Sequence, residues 1–494
     1  MLTMTPESNQ AREAIVRAEL KALTEEITSM NRFRAYYEGD QTLVYSTELF
    51  KAVFGTAFVG FKDNWCKVVV NATRDRLKVI NFSIDDDTDD VMSKDIWKVL
   101  RRNNMAVQQK DLHEGTLVEG RSFVIVWPDE VRGAKVDWQP GQLCRVFYDP
   151  DERDLALWAV KRWTNETGDI FVTFYTPQAV FKFKETSTPT GIKNATSSSA
   201  LTEIPGVGAF GGGLEERRIE GEEWPLPNPF GIVPVVEFNN TSYQSELVDT
   251  IPQQDALNKT LLDMMIAGEF AAFPQRVVET MANEPEGGWV SGPGEIWQFR
   301  PSFDADGKHI PAQFETFPTA DPTQYMQPIA MWLQHMALTS STPVRYFQTA
   351  DRGGRGDAPS GDSLLVDDKP LNDKVEDKQD RLGASWWKVA QFISFSLGNT
   401  NAFELDGETV WRDPRHDYRL ARLEEGKTMV EMGLPIKFVV KQIGLTPSEE
   451  VEVLAMIEED EAKAEEDAAQ LAEQQAEAAQ SSTQTSGSSD TSAQ

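Results

Sequence analysis

A long amphipathic helix is the strongest structural signal in this sequence, and it covers residues 363–397. Its apolar residues recur at steps of three, four and seven, namely Leu371, Val375, Leu382, Trp386, Val389, Ile393 and Leu397. This spacing places them along one face of a helix, and we predict that this face is buried in a core. Pro370 favours a kink or a new helix start, because proline is tolerated mainly in a first turn.

The chemistry of this helix changes along its length. Its first half carries many charged residues, which are Asp373, Lys374, Glu376, Asp377, Lys378, Asp380 and Arg381, whereas the half from Trp386 onward is almost entirely apolar. We therefore expect one end to be solvated and the other to be buried. The preceding residues, 351–361, read DRGGRGDAPSG. They are too rich in glycine for regular structure and too polar for a core, so a charged loop is predicted.

The chain is strongly acidic. It has 494 residues, with 48 lysines and arginines against 79 aspartates and glutamates, which gives a formal charge of −31. Ten acids and one base lie in residues 457–494, so this tail carries −9 and the rest of the chain about −22. This balance disfavours tight, sequence-specific DNA binding but is compatible with a surface past which DNA slides. The length predicts two to four domains.

Compartment signals point to the reducing cytosol. The two cysteines, Cys66 and Cys144, are far apart and have no CxxC spacing, which disfavours a zinc site and a disulfide framework. The first 30 residues contain five glutamates and no apolar block, so no secretory signal is expected. No stretch approaches the length of apolar sequence that a membrane-spanning helix needs.

The first half of the chain is predicted to contain helices followed by an antiparallel sheet. Helices are predicted at residues 5–38, 64–71 and 91–120, and strands at 77–79, 123–128, 145–148, 158–163, 170–175, 180–183 and 233–238. The stretch 186–213 is rich in Ser, Thr and Gly and is predicted to be a loop or an insert. Pro234 makes the last of these an edge strand, because proline cannot donate a ladder hydrogen bond.

A helical hairpin is predicted between residues 245 and 340. A helix from Ser245 to Phe273 is followed by a small β excursion over residues 274–320 and by a second helix that Asp321 caps. Apolar residues cover more than one face of the two helices, and they include Leu261, Met265, Phe270, Trp332 and Met336. A single copy of the chain cannot bury them all, so neighbouring copies are expected to cover them. A closed homo-oligomeric ring is therefore predicted.

The last part of the chain is predicted to be simpler. A strand at residues 403–411 follows the long helix, and short helices then end at the glycine-proline signals around Gly433 and Gly444. The tail beyond residue 457 is rich in Ala, Gln, Glu, Ser and Thr, which is typical of a frayed helix followed by disorder.

One motif offers an enzymatic alternative. Residues 361–364, Gly-Asp-Ser-Leu, spell the nucleophile block of the GDSL hydrolases, and Asp413 and His416 have the spacing of their base pair. The alternative function is a serine hydrolase that uses Ser363 and His416. Such enzymes present the serine at the end of a buried strand, whereas Ser363 follows a polar loop and begins a helix, where serine is an ordinary cap. We therefore favour a protein that is not an enzyme.

Cofactor and metal signals are weak. Residues 206–211 match the dinucleotide motif GxGxxG by letter, but Pro205 precedes them where a strand is required, so a loop is favoured. The sequence contains no GxxxxGK[ST] motif, and its four histidines lie far apart. We expect no autonomous ATP motor, no cofactor and no metal site.

Several short stretches, taken in order, give the chain a family resemblance. They are YYEG at 36–39, NWC at 64–66, DRL at 75–77, NPFG at 228–231, VPVVEFN at 233–239, SEL at 245–247, DALNKT at 255–260 and PQR at 274–276. With them the chain resembles the portal proteins of tailed double-stranded DNA bacteriophages, of the kind found in long-tailed phages of actinobacteria. The resemblance extends from Met30 to about Ile457.

The resemblance implies an α+β fold with a fixed order of parts. It implies a portal-type wing of helices and antiparallel sheet in residues 1–243, with the insert at 186–213, to which a long kinked helix and a strand in 363–411 return. It further implies a stem of two helices (244–273 and 321–340), a small β clip (274–320), a channel loop (341–362), a helical crown (412–457) and a disordered acidic tail (458–494).

The resemblance also implies a function. Portal proteins form a ring, usually a dodecamer, at one capsid vertex of the virion, and double-stranded DNA passes through it non-specifically during packaging, retention and ejection. The implied partners are the terminase large subunit, the head–tail adaptor, and capsid and scaffold proteins, with assembly in the host cytoplasm. By position, Arg352, Gly353, Gly354 and Arg355 would line the DNA channel, and Trp289, Trp297 and Phe299 would dock the terminase on the clip.

Overall fold

The architecture is a mixture of helices and antiparallel sheets, which confirms the α+β prediction. The computed structural model describes residues 9–42, 63–84, 91–186, 213–272, 276–279, 302–310, 313–316, 321–347, 361–414 and 426–436, and the short pieces 439–440, 453–454, 456–457 and 463. Residues 187–212 of the predicted insert, the channel-loop residues 348–360 and most of the predicted crown and tail lie outside the described residues. In the described part, no helix is long and apolar enough to cross a membrane.

The N-terminal helix α1 spans Asn9–Glu38, as the sequence predicted. Its apolar residues recur at steps of three and four, and all are at most 5% exposed: Val16, Leu20, Leu23, Ile27 and Met30. This period keeps them on one face, so that face is buried. The helix ends at Gly39, whose φ of +82° is a conformation that glycine adopts without strain.

Three helices and a strand follow: α2 at Cys66–Arg74, β1 at Val79–Ile84, α3 at Val91–Arg102 and α4 at Met105–Glu119. The sequence predicted one helix over 91–120, and the structure has two. The break occurs at Asn104, whose φ of +59° cannot continue a right-handed helix. The side chain of Asn103 fixes the end of α3 by donating to the carbonyl oxygen of Ala134, 2.8 Å away.

A three-stranded antiparallel sheet lies in the order β10-β2-β3, formed by β2 (Arg121–Asp129), β3 (Gly133–Pro140) and β10 (Val235–Asn239). Strand β10 is at the edge, as Pro234 predicted. Strand β2 continues through Pro128 to Asp129, one residue beyond the predicted strand. Proline has no N–H to donate to a neighbouring strand. Pro128 is tolerated because β10 pairs with β2 only as far as Ile125, so no residue of β10 lies opposite Pro128 to need that hydrogen bond.

A second, larger antiparallel sheet has the order β4-β5-β6-β7-β8, and its first four strands confirm the predicted series, whereas β8 was not predicted. The strands are β4 (Cys144–Tyr148), β5 (Ala156–Thr164), β6 (Ile170–Tyr175), β7 (Ala179–Thr186) and β8 (Gly213–Glu216), and β9 (Leu226–Pro227) also pairs with β7. Val16 and Leu20 of α1 pack against apolar residues of this sheet, including Val160, Val172 and Phe174. Helix α1 therefore covers one face of the sheet.

The hairpin consists of α5 (Ile251–Ala272) and α6 (Met326–Thr339). The described residues between them include the short strands β11 (Arg276–Glu279), β12 (Ser302–Phe303), β13 (His309–Ile310) and β14 (Gln313–Thr316). The predicted cap is present, since Oδ1 of Asp321 accepts from the N–H of Thr323 at 2.8 Å. The first helix begins later than predicted, at Ile251. Residues 245–250 form turns, because the amide of Glu246 donates to the carbonyl oxygen of Leu117 at 2.9 Å.

The long helix α7 spans Gly361–Ser396, and the strand β15 (Gly407–Trp411) follows it and pairs with β1. The predicted core face is confirmed from Leu371 to Ile393, where every residue of the stripe is at most 1% exposed. Leu397 is the exception, since it lies past the helix end and is 45% exposed. The helix continues through Pro370, so the alternative of a new helix start there is wrong.

Candidate functional site: the base of the helical hairpin

A charged residue interrupts the buried stripe of α7, and a second one lies beside the stripe. The stripe lacks an apolar residue between Val375 and Leu382, and Lys378, which is 5% exposed, occupies that position. Lys374 lies four residues earlier, on the same side of the helix. The sequence analysis placed both lysines on a solvated surface, which is wrong for Lys378. The seven-residue gap in the stripe was the signal that could have identified it.

Glu246 is the partner of both lysines. Its Oε2 lies 2.6 Å from Nζ of Lys374 and its Oε1 lies 2.9 Å from Nζ of Lys378. The amide of Asn240 also donates to Oε1, at 3.0 Å. Burial alone would raise the pKa of the Glu246 carboxyl, but the two ammonium groups outweigh it and lower the pKa to about 2. Glu246 is therefore ionised at any ordinary pH, and the cluster is a fixed ionic contact.

The same lysines contact both ends of the hairpin. Lys378 donates to Oγ1 of Thr241 at 2.8 Å, on the chain leading to α5, and Lys374 donates to the carbonyl oxygen of Ser340 at 3.1 Å, directly after α6. The start of α5 and the end of α6 thus meet at α7. At the far end, β11 and β14 pair and hold the other ends of the two helices together. The two helices therefore run antiparallel.

The first turns of α5 are also attached to α1 and α2. Gln254, which is 0% exposed, accepts from the N–H of Trp65 at 2.9 Å and donates to the carbonyl oxygen of Asp63 at 2.7 Å. The hydroxyl of Tyr36 donates to Asp255 at 2.8 Å. Because these contacts are directional, they fix the rotation of α5 as well as its position.

The residues predicted to pack between copies fall into three groups. Leu261, Met265 and Trp332 are partly exposed, as a surface role requires. Met336 is 0% exposed and packs inside its own chain against Val69 and Phe347, so the prediction that it lies on an exposed face is wrong. Phe270 belongs to α5, but its side chain lies outside the described residues.

A different face of α6 is exposed instead. Met331 is 42% exposed and Leu338 is 68% exposed, and their spacing of seven places both on one side of the helix with His335 between them. The sequence did not separate this face from the buried one, because apolar residues occur on both. Only the packing of Met336 and Ala337 against α2 decides which side is free.

The other predicted sites lie largely outside the described part of the chain. This applies to Arg352, Gly353, Gly354 and Arg355, to Trp289, Trp297 and Phe299, and to His416. Ser363 lies in the first turn of α7 and not at the end of a strand, which is where the GDSL alternative requires it. Among the described residues no group of three or more His, Cys, Asp and Glu could hold a metal ion.

The buried ionisable groups are structural. Nε1 of Trp386 donates to Nε2 of His113 at 2.9 Å, and burial lowers the pKa of His113 to about 4. Cys66 and Cys144 are both free and buried, and burial raises the pKa of each thiol to about 12. Neither thiol is a reactive nucleophile at neutral pH.

The site is thus an anchored antiparallel helical hairpin on an α+β body, without a catalytic constellation in the described residues. A family model described as phage portal protein, SPP1 Gp6-like, matches residues 18–481. The chain therefore belongs to the SPP1 Gp6-like family of phage portal proteins, and its function is that of a capsid portal. Proteins of this family are in general structural and not enzymatic.

Three solved structures are similar to the chain, each with 14% identity and a TM-score of 0.41. The match to the neck of an empty GTA particle computed with C6 symmetry covers 79% of this chain and 95% of that chain. The virion of a native gene transfer agent (GTA) particle covers 85% and 99%, and the neck of a native GTA particle computed with C12 symmetry covers 82% and 95%. No curated protein sequence matches the chain.

Proposed function

We propose that copies of this chain assemble into a closed ring, a dodecamer, through which double-stranded DNA passes at one capsid vertex. The observation that carries the proposal is the exposed apolar face of α6. Leu338 is 68% exposed and Met331 is 42% exposed, although Met336 and Ala337 of the same helix are buried in their own chain. A helix that is apolar on both sides needs a second partner surface.

A neighbouring copy supplies that surface in the proposal. The hairpin is anchored at its base by Glu246 and the two lysines, so it presents the face of Met331 and Leu338 in a fixed orientation. The partly exposed Leu261 and Met265 of α5 are the proposed contact on the adjacent copy. Such a head-to-tail contact uses two different surfaces, and it closes into a ring when the rotation between copies divides a full turn.

Residues 244–273 and 321–340 are accordingly the proposed stem, and residues 274–320 are the proposed clip. We assign Trp289, Trp297 and Phe299 of the clip to docking of the terminase large subunit and later of the head–tail adaptor, since aromatic residues are common binding anchors. Substitution of all three by glutamate should abolish terminase binding while rings persist. If the triple variant still binds the terminase as the unchanged protein does, these residues are not the docking site.

The remaining parts follow the same scheme. Residues 1–243 and 363–411 are the proposed wing, 412–457 the crown, and 341–362 the channel loop, in which Arg352, Gly353, Gly354 and Arg355 contact the DNA backbone. The negative charge of the chain supports a weak grip, because many lysine contacts would hold DNA too tightly for passage. Assembly in the host cytoplasm, contacts with capsid and scaffold proteins, and an actinobacterial host are further parts of the proposal.

Mass photometry of purified protein tests the ring directly. Leu338→Glu should prevent ring formation, because it places a charge in the proposed contact between copies. Val131→Glu is the matched control, since Val131 is 87% exposed in the turn between β2 and β3 and lies far from the hairpin in sequence. If Leu338→Glu forms rings in the same yield as the control, the proposed contact between copies is wrong. If the unchanged protein stays monomeric under crowding, the proposed ring itself is wrong.

A further inference from the structure

The segment 348–360 lies between two helices. The short 3-10 helix Val344–Phe347 lies directly before it, and α7 begins directly after it at Gly361. Two neighbouring acids, Asp367 and Asp368, lie in the second turn of α7. Asp368 is three residues before Leu371 and continues the buried stripe, and it is only 1% exposed. A buried carboxylate in this position needs charged partners.

Two arginines from separate parts of the chain supply them. Arg345, in the 3-10 helix, forms an ion pair with Oδ1 of Asp368, and its Nη1 donates to Oδ2 of Asp367 at 2.9 Å. Arg76, which follows α2, donates from Nη2 to Oδ2 of Asp368 at 3.2 Å. The same Nη2 donates to the hydroxyl of Tyr346 at 2.8 Å. We call the group of Arg76, Arg345, Asp367 and Asp368 the clasp.

The clasp joins the two ends of the segment. The Arg345–Asp367 hydrogen bond links residues 22 positions apart, and residues 348–360 lie between them. The clasp is balanced, with two positive and two negative groups. Removing one partner of a buried ion pair is strongly destabilising, because it leaves a charge without compensation. The positions of Val344–Phe347 and of the first turns of α7 are therefore tied to each other.

We propose that Arg345, Asp367 and Asp368 are positioning residues that hold the ends of segment 348–360 together, and that DNA retention by the portal depends on them. The second half of this statement rests on the proposed function, in which this segment contacts DNA. The first half does not, because it concerns described residues alone. Arg345 differs from Arg352 and Arg355 in its role, since it acts through the placement of the segment and not through contact with DNA.

Hydrogen exchange of the full-length protein tests the first half without DNA. Arg345→Ala should raise the exchange of the amides of 344–347 and of 366–372 by roughly tenfold, because local opening loses the ionic contact. Trypsin should also cleave faster between residues 348 and 360. The matched control is Lys369→Ala, which removes one positive charge from α7 outside the clasp, since Lys369 is 71% exposed and pairs with Asp373.

The outcomes separate positioning from general stability. Unchanged exchange in Arg345→Ala would overturn the proposal, and so would a uniform rise across the whole chain, which a purely structural role predicts. Arg345→Lys should restore part of the protection, because lysine keeps the charge but loses the planar fork. If Arg345→Ala does not fold, Asp367→Ala is the milder variant, since the Asp367 side chain is 51% exposed.

A packaging assay tests the second half. Particles with Arg345→Ala should retain DNA less well than particles with Lys369→Ala, while both assemble rings. If local exchange rises in Arg345→Ala but retention equals the control, the clasp positions the segment and the dependence of retention on it is refuted. If the double variant Arg352→Ala with Arg355→Ala also retains DNA like the unchanged protein, the proposed contact between the segment and DNA is wrong.

Discussion

Nζ of Lys378 lies 2.9 Å from Oε1 of Glu246, although both side chains are almost completely buried. This contact connects the long helix to the chain that leads into the hairpin. An ion pair that is buried on both sides does not tolerate the loss of one member, since the other then stays in a low-dielectric environment without a partner. The orientation of the hairpin therefore depends on this carboxylate as well as on the contacts that Gln254 of α5 makes with Trp65 and that Tyr36 makes with Asp255.

Glu246→Gln is expected to destabilise the protein by about 3 kcal/mol, because it leaves Lys374 and Lys378 without a counter-charge. Chemical denaturation of the full chain measures the shift. Glu376→Gln is the control, since Glu376 is exposed on the same helix, and its effect should stay within about 0.5 kcal/mol. Equal midpoints for the two variants would show that the buried cluster does not stabilise the fold.

His113 is expected to make the stability depend on pH. Its Nε2 accepts a hydrogen bond from Trp386, so the folded protein holds the neutral ring, and burial lowers its pKa from 6.5 to about 4. Below pH 6.5 the unfolded chain binds a proton that the folded chain does not. This contribution is therefore present above pH 6.5 and is lost as the pH falls to 4, by roughly 3 kcal/mol in total.

The variant His113→Gln isolates this effect, because glutamine can still accept from Trp386 but does not titrate. Its unfolding free energy, compared with that of the unchanged protein from pH 7.5 to pH 4, should fall less steeply. His335→Gln, at an exposed histidine of α6, is the matched control for the substitution itself. Parallel curves for all three proteins would contradict the prediction.

Gly120 is expected to be intolerant of any side chain. It ends α4 with a φ of +87°, and a Cβ there would collide with the carbonyl oxygen of Tyr243. Gly168 has a similar φ of +84° but nothing within 4 Å of the added atom. Gly120→Ala should therefore cost about 3 kcal/mol or more, and Gly168→Ala about 1 kcal/mol. Thermal unfolding of the two variants measures the difference in lost stability. Equal losses would show that the backbone conformation alone decides the effect and that the collision with Tyr243 does not contribute.

The double variant Arg352→Ala with Arg355→Ala is expected to form rings like the unchanged protein but to package shorter DNA or retain less of it. The two arginines are the only bases in residues 349–360, and each contact with a phosphate is weak but repeated around the ring. Pulsed-field analysis of packaged DNA measures the length. Wild-type length and retention in this variant would reduce the segment to a linker between two helices.

Much of the fold could be predicted because its signals are local. The apolar period of α1 and of α7, the alternation along β4 to β7 and the cap at Asp321 are each set within a few residues. The family resemblance, from short motifs in a fixed order, agrees with the matched family. The break at Asn104 was missed because a positive φ in one asparagine leaves no trace in the hydrophobic pattern.

The sequence by itself determined where most of the helices and many of the strands lie, and which side of the long helix is buried. Only the tertiary structure decided which charged residues belong to that buried side. Lys378 and Asp368 are acceptable there because Glu246, Arg345 and Arg76 reach them from distant parts of the chain. Thr241, which also contacts Lys378, is 137 residues away. Helical periodicity depends on neighbours three and four residues apart, whereas the partner of a buried charge is chosen by the fold.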